Sequence, residues 1–415
     1  MRVWIDGAAA PAGLRVFGLT LVERHLRALG RIADRITEIC IDGAPGPVPP
    51  ALAGRLELRQ TSSDGPCGAR LAAYVAAGTE PVLAIAGDSL VDARLFAAMG
   101  DVSGSRVAED EKDGQTTALL RLEPDAAGAI PAEARNIAEI GAQLLARGAA
   151  IPFTQDAFPG FITVLRRTLP FHLFTLRDHA AAARAERFLF WSNYKGSTDF
   201  FTKYVYPPLV WLLVRPLAAA RIHPNVVTIV SIVFTFAAVP FFAAGAFIPG
   251  LLLAYAMSVL DSVDGKLARL TFTDSKLGNV LDHGLDIVHP PLWYVGWAWG
   301  LSGGDLGAPV FAASLWMTAF YVADRLVLAI YRNIFKRGLH THAPIDAAVR
   351  TFISRRNVNL PLFTVGVLAG FGTEVFYAIV AWQAATLLWH AGRTFWILAV
   401  EKARPHSAPA RPAGS

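Results

Sequence analysis

Four aspartates carry the chemistry most open to this 415-residue chain. Asp261 and Asp264 stand three residues apart and Asp282 and Asp286 four apart, in stretches that are otherwise mostly apolar. On an α-helix either spacing puts both carboxylates on one face. A turn at Thr271–Lys276 makes the two helices antiparallel neighbours, so the side chains can converge near one surface. Close carboxylates cannot all stay ionised without a cation, and hard oxygen donors select Mg²⁺, Mn²⁺ or Ca²⁺ over zinc. Two divalent ions would neutralise the set and still attract a pyrophosphate, activating its bridging oxygen as a leaving group. Gly265 permits close approach of a ligand to the backbone, Arg269 can pair with phosphate oxygens, and Gly278 allows tight packing of helices or a nucleotide. A polar network that only glues helices together is the competing reading, and the cost of burying so many charges weighs against it.

The elements that must position these groups are membrane helices. From Pro224 the apolar runs divide into six spans: Pro224–Ala244, Ile248–Leu270, Leu277–Gly300, Ala308–Tyr331, Asn359–Phe371 and Val375–Val400. The connection from Arg332 to Arg356 carries Arg332, Lys336, Arg337, Arg350, Arg355 and Arg356, and the tail adds Lys402, Arg404 and Arg411. The opposite loops hold only Asp305 and Glu374, so the positive-inside rule places both termini and the aspartate turn in the cytoplasm. The expected location is the inner (cytoplasmic) membrane of a bacterium. Phe200–Ala218 is apolar but carries Pro207, Pro208, Pro216, Lys203 and Arg215, which predicts an interfacial helix rather than a seventh span.

The first 190 residues have a soluble composition. Arg2–Asp6, Glu38–Ile41 and Pro81–Ala86 read as buried strands, and Thr20–Leu29, Arg70–Ala77 and Asp178–Phe190 as helices. An α/β domain with a mostly parallel sheet is expected. The N-terminus lacks a cleavable signal pattern, and Cys40 and Cys67 lack disulfide or metal-ligand spacing and read as buried thiols. The net charge of +5 is accounted for by basic cytoplasmic loops near anionic lipid, with no need of nucleic acid.

The pattern D-x-x-D-G-x-x-A-R-x8-G-x3-D-x3-D is met without departure by Asp261, Asp264, Gly265, Ala268, Arg269, Gly278, Asp282 and Asp286. It resembles the signature of the CDP-alcohol phosphotransferase family. Pro224-Asn225-Val226-Val227-Thr228 is similar to the Pro-Asn-x-x-Thr that opens the first span in that family, although alone it reads as a helix start. The resemblance implies a six-helix transmembrane domain, a homodimer, two divalent ions and release of CMP from a CDP-linked donor. Carried over by position, Asp261, Asp264 and Asp282 would hold metal, and Asp286 would both touch metal and deprotonate the acceptor hydroxyl. Pro224, Asn225, Thr228, Gly265, Ala268, Arg269 and Gly278 would line the CMP part of the donor.

Gly18–Arg24 followed by Ala84-Ile85-Ala86-Gly87-Asp88 resembles nucleotidyltransferase domains of Rossmann type. The loop Gly7–Arg15 lacks the glycine-rich run with downstream Arg and Lys that such domains use to cradle a triphosphate, so the front domain reads as degenerate. A fusion of this kind is similar to inositol-1-phosphate cytidylyltransferase/di-myo-inositol phosphate phosphate synthases, and Lys195–Asp199 and Arg355–Asn359 add to the likeness. CDP-diacylglycerol uses the same motif, which leaves the donor tail open. The expected organisation is residues 1–190 as the front domain, 191–222 as linker and interfacial helix, 223–402 as the membrane domain and 403–415 as a disordered tail. Asp324, Arg325, Arg332, Arg355 and Arg356 are candidates for contact with an acceptor, or alternatively anchors and ion pairs. The competing functional class is a membrane scaffold or ion-binding transporter, and a transporter would be expected to show repeats between its halves and midplane acids near broken helices.

Overall fold

A computed structural model describes residues 1–43, 57–62, 64–110 and 116–403; the side chains of 116, 276–277, 279–283, 285–286 and 401–403 are outside the description. The expected disordered tail and its arginines therefore lie outside the described residues. Two compact units are present, one of Met1–Tyr194 with Arg215–Arg221 and Leu267–Thr273, the other of Lys195–Val214, Ile222–Lys266 and Asp274–Ser415.

The first unit is an α/β sandwich. Its strands are β1 (Arg2–Asp6), β2 (Glu38–Asp42), β3 (Glu57–Thr61), β4 (Val82–Ala86), β5 (Ser89–Val91), β6 (Arg106–Asp110), β7 (Thr116–Leu122), β8 (Ile151–Phe153), β9 (Phe161–Ile162), β10 (Arg167–Thr168) and β11 (Leu173–Thr175). Its helices are α1 (Leu21–Leu29), α2 (Cys67–Ala76), α3 (Ala93–Asp101), α4 (Ile137–Ala146) and α5 (His179–Ser192). The main sheet has the order β3-β2-β1-β4-β7-β6-β8. Strands β3, β2, β1 and β4 run parallel, which is why the centre of β1, Val3-Trp4-Ile5, and the whole of β4 are apolar and buried on both faces. The sheet is mostly parallel, as expected, and mixed through one strand: β7 pairs antiparallel with both β4 and β6, while β6 and β8 pair parallel. The expected second helix begins earlier than its periodicity suggested, at Cys67, with Pro66 in the capping position. Thr20 accepts from the Glu23 N–H to start α1, and Asp178 from the Ala181 N–H to start α5, each offsetting an orphan amide.

The second unit is helical. It contains α7 (Pro224–Ala243), most of α8 (Phe247–Thr271), α9 (Lys276–Leu301), α10 (Pro309–Phe335), α11 (Pro344–Val349), α12 (Arg356–Leu368) and α13 (Gly372–Ala403). Before them a turn of π-helix, Phe201–Val205, leads into α6 (Pro207–Ala219), whose interior holds Pro216. Three helices among the described residues, α7, α8 and α10, are long and apolar enough to cross a membrane. The helix expected at Asn359–Phe371 instead spans Arg356–Leu368, so Arg355 caps it and Arg356 is its first residue.

Small residues bring these helices together. A Cβ at Gly300 would lie 2.1 Å from the Phe242 carbonyl oxygen, so only glycine lets α9 meet the end of α7. Trp297 stacks on Phe363 with ring centroids 4.0 Å apart, joining α9 to α12. Trp293 Nε1 donates to the Thr235 carbonyl at 3.0 Å and Asn359 Nδ2 to the Tyr294 hydroxyl at 2.9 Å. Such buried donors need partners where no water competes.

Candidate active site

Asp261 and Asp264 stand one turn apart on α8, inside the second unit. Asp264 is buried, and its Oδ2 accepts from Thr228 Oγ1 at 2.7 Å while its Oδ1 accepts from the Gly265 N–H. Thr228 also donates to the Pro224 carbonyl at 3.2 Å, so its hydroxyl is shared between a helix carbonyl and the carboxylate. This bond ties the Pro-Asn-x-x-Thr stretch on α7 to the aspartate motif, across 36 residues of sequence. Pro224 is the first residue of α7 and His223 caps the helix, so the helix-start reading of the stretch also holds.

Asn225 lies beside the start of α9. Its Oδ1 accepts from Ser275 Oγ at 3.3 Å, and the same Ser275 oxygen accepts from the Gly278 N–H at 3.0 Å. A Cβ on Gly278 would meet Asn225 Oδ1 at 2.8 Å and Ser275 Oγ at 3.0 Å. Gly278 thus leaves the room in which Asn225 sits. Asp282 and Asp286 are on α9, one and two turns further along, and their side chains lie outside the described residues. Ala268 and Arg269 are on the last turns of α8 and group with the first unit, where Arg269 Nε donates to Asn193 Oδ1 at 3.2 Å.

A group that sequence reasoning did not single out for the aspartates meets Asp261, and a second group meets the first. Arg356 Nη2 donates to Asp261 Oδ2 at 2.8 Å, and Arg356 Nη1 lies 2.9 Å from His289 Nε2. Arg356 had been noted only as an acceptor contact or an anchor. Nothing in the local sequence links it to Asp261, 95 residues away, and His289 reads as a lone histidine in an apolar helix. Next to it, Asn357 Nδ2 donates to Thr202 Oγ1 at 2.9 Å and to Asp199 Oδ2 at 3.4 Å. The buried Asp199 carboxylate also accepts from the Thr202 N–H and hydroxyl, both at 2.9 Å, and the Phe200 N–H donates to the Thr351 carbonyl at 3.0 Å. The segments Lys195–Asp199 and Arg355–Asn359, far apart in sequence, are therefore neighbours.

Asp324 and Arg325 are not a simple pair between two helices. The fully buried Asp324 carboxylate faces His390 Nδ1 of α13 at 2.5 Å and its own neighbour Arg325 Nη2 at 3.2 Å. Arg393 and Asp346 pair nearby at 2.7 Å.

The donor set at α8 suits a hard divalent cation: two carboxylates on one helix face, one held by a neutral hydroxyl. Among the described residues no group of three or more His, Cys, Asp and Glu side chains could hold a metal ion.

In the first unit β2 and β3 lie on one side of β1 and β4 on the other, and in open α/β sheets such a reversal of strand order marks the crevice at the carboxyl strand ends where ligands bind. Asp6 ends β1, Asp42 ends the neighbouring β2, and Asp88 stands just past the end of β4. Arg70 bridges the first two, at 3.1 Å to Asp6 and 2.7 Å to Asp42. Burial, and then the neighbouring Asp6, push the Asp88 carboxyl above the usual range, and Ser89 Oγ donates to it at 2.9 Å. Gly7–Ala9 forms a single 3-10 turn, and Arg15 is occupied with the Gly18 carbonyl at 3.1 Å. Cys40 and Cys67 are buried and unpaired by disulfide, and burial raises both thiols.

No curated protein matches the chain. Among solved structures it is similar to the Mycobacterium tuberculosis phosphatidylinositol phosphate synthase with CDP-DAG bound, at 17% identity and a TM-score of 0.37, over 46% of this chain and 94% of that one. Residues 221–396 match the CDP-alcohol phosphatidyltransferase family, and they contain every position of the aspartate motif and of the Pro-Asn-x-x-Thr stretch. The family match thus falls on the helical part of the chain, as a CDP-alcohol phosphatidyltransferase domain at residues 221–396.

Proposed function

We propose that residues 223–402 form a homodimeric, six-span membrane domain that transfers a phosphatidyl or phosphoalcohol group from a CDP-linked donor to a hydroxyl, with release of CMP. The observation that carries the reading is the 2.7 Å bond from Thr228 to Asp264, which joins two separate motifs into one site. In this reading Asp261, Asp264, Asp282 and Asp286 hold two divalent ions, Mg²⁺ or Mn²⁺. Bound there, the ions would supply Lewis-acid stabilisation of charge on the pyrophosphate.

The chain's own groups do the rest. Thr228 fixes the Asp264 carboxylate, and Pro224, Asn225, Gly265, Ala268, Arg269 and Gly278 seat the CMP portion of the donor. Asp286 takes the proton of the acceptor hydroxyl as its oxygen attacks the distal phosphorus. The bond from that phosphorus to the bridging oxygen breaks, and CMP departs with the bridging oxygen. Both termini are placed in the cytoplasm by the loop charges, with α6 lying along the membrane surface.

The front domain is read as a nucleotidyltransferase-like module without its own catalysis. Its crevice offers acids and a short alanine-rich turn where a triphosphate would need free cations, and Arg70 is already engaged by Asp6 and Asp42.

The reading is tested by CMP release from purified protein supplied with CDP-diacylglycerol or CDP-inositol and Mg²⁺ or Mn²⁺. Release that depends on both donor and metal supports it. Absence of release with either donor over a range of acceptors counts against it. Comparing lipids and soluble phosphodiesters in cells with and without the gene distinguishes the donor tails.

A further inference from the structure

The contact between Arg356 and Asp261 divides the two α8 carboxylates. Asp264 is held by the uncharged Thr228 hydroxyl, whereas Asp261 is held by a guanidinium. Arg356 is the first residue of α12, and its side chain is only 10% exposed. Besides Asp261 it meets His289 Nε2 at 2.9 Å, and its Nε donates to Asn357 Oδ1 at 3.2 Å. A guanidinium can only donate, so His289 must accept through Nε2 and carry its proton on Nδ1. His289 is fully buried and packs against Trp293 at 5.0 Å between centroids, which holds the imidazole in place. One planar group therefore bridges Asp261 of α8 and His289 of α9.

We infer that Arg356 is a positioning residue that serves as the counter-ion of Asp261 in the metal-free protein and competes with a divalent cation for that carboxylate. The inference rests on the metal-binding reading of the aspartates given above. Two consequences follow from the charge. A half-buried carboxylate is costly unless its charge is compensated, so the Arg356 guanidinium stabilises the metal-free site. A fixed positive charge beside Asp261 also repels an incoming divalent ion, and so sets affinity below what the carboxylates alone would give.

The sign of this effect separates a counter-ion from an ordinary supporting residue. Loss of a neutral group that orients a metal ligand weakens binding. Loss of a competing cation strengthens it.

The experiment measures Mn²⁺ binding to the full chain in detergent by electron paramagnetic resonance, together with thermal unfolding with and without Mn²⁺. Arg356→Gln is expected to bind Mn²⁺ at least about tenfold more tightly than wild type. It should also unfold at lower temperature without metal and gain more from added Mn²⁺. Arg356→Lys keeps the charge and is expected to stay within about threefold of wild type. If Arg356→Gln does not fold, the lysine variant carries the test, and a tenfold change in its affinity overturns the inference. Unchanged or weaker Mn²⁺ binding by Arg356→Gln, with binding by wild type intact, overturns the inference and leaves the metal reading standing. A wild-type protein that binds no Mn²⁺ overturns both.

Discussion

Replacing Thr228 by valine tests whether the first and second helices of the family domain share one site. The two side chains have nearly the same shape and both are β-branched, so helix propensity and volume scarcely change. What is lost is the 2.7 Å donor to Asp264 Oδ2, in a buried position where water is not at hand to replace it. A hydrogen bond to a charged group contributes about 1.5–3 kcal/mol, and the Gly265 N–H to the other carboxylate oxygen is unaffected. We therefore expect a loss of about 2 kcal/mol in metal-free stability. Removing a group that orients a metal ligand typically weakens metal affinity about 10- to 100-fold, so Mn²⁺ binding should fall by at least the lower figure. Thermal unfolding in detergent and Mn²⁺ titration read the two effects. Thr228→Ser retains the hydroxyl and should recover most of the affinity. If Thr228→Val binds Mn²⁺ as wild type does, Thr228 does not orient a metal ligand and the argument from convergence of the two motifs is refuted.

Other outcomes follow from the same structure. Asp286→Asn should abolish CMP release while leaving the thermal unfolding profile intact, and persistent turnover would remove Asp286 as the base. Gly278→Ala would place a methyl group 2.8 Å from Asn225 Oδ1; the gain in helix propensity of about 1 kcal/mol offsets the strain in stability, so the loss should appear as a raised KM for the CDP donor. His390→Leu should destabilise the helical unit by about 3 kcal/mol, measured by thermal unfolding, because it leaves the buried Asp324 without its nearest partner. In the α/β unit, burial and then the Arg24 charge lower the His25 pKa to about 3, against about 6.5 in an unfolded chain. The unfolded state alone takes up this proton as pH falls below about 6.5, so stability should drop by about 2 kcal/mol between pH 7 and 5. Comparing wild type with His25→Gln isolates that slope, and identical pH dependence in the two would exclude it.

Much of the architecture was legible because its signals are periodic and local. Strands β1 and β4 are apolar runs bounded by Asp6 and Gly87, and α7, α8 and α10 are apolar over membrane-spanning length. Capping residues fixed the starts of α1 and α5. Less legible was the antiparallel strand β7, because a seven-residue run such as Thr116–Leu122 does not announce the direction of its partners. The start of α12 was also missed, since Arg356 and Asn357 look like loop residues until their side chains are satisfied by Asp261 and Thr202. Gly296 and Gly300 carry the small-xxx-small spacing of close helix contact, and that signal was available in the sequence.

By itself the sequence determined the chemistry on offer. Aspartates at helical spacing in apolar segments, with Gly265, Arg269 and Gly278 at fixed distances, already pointed to a candidate site on two successive helices. Spacing of this kind is set by the helix repeat, which the chain encodes locally. Tertiary structure alone decided which outside groups meet those aspartates. Thr228 reaches Asp264 across 36 residues and Arg356 reaches Asp261 across 95, through packing of α7, α8, α9 and α12 that no local pattern specifies. The two carboxylates, alike in sequence, differ in the fold: Asp264 accepts from a hydroxyl and Asp261 from a guanidinium, because burial obliges each charge to find whatever partner the fold brings to it.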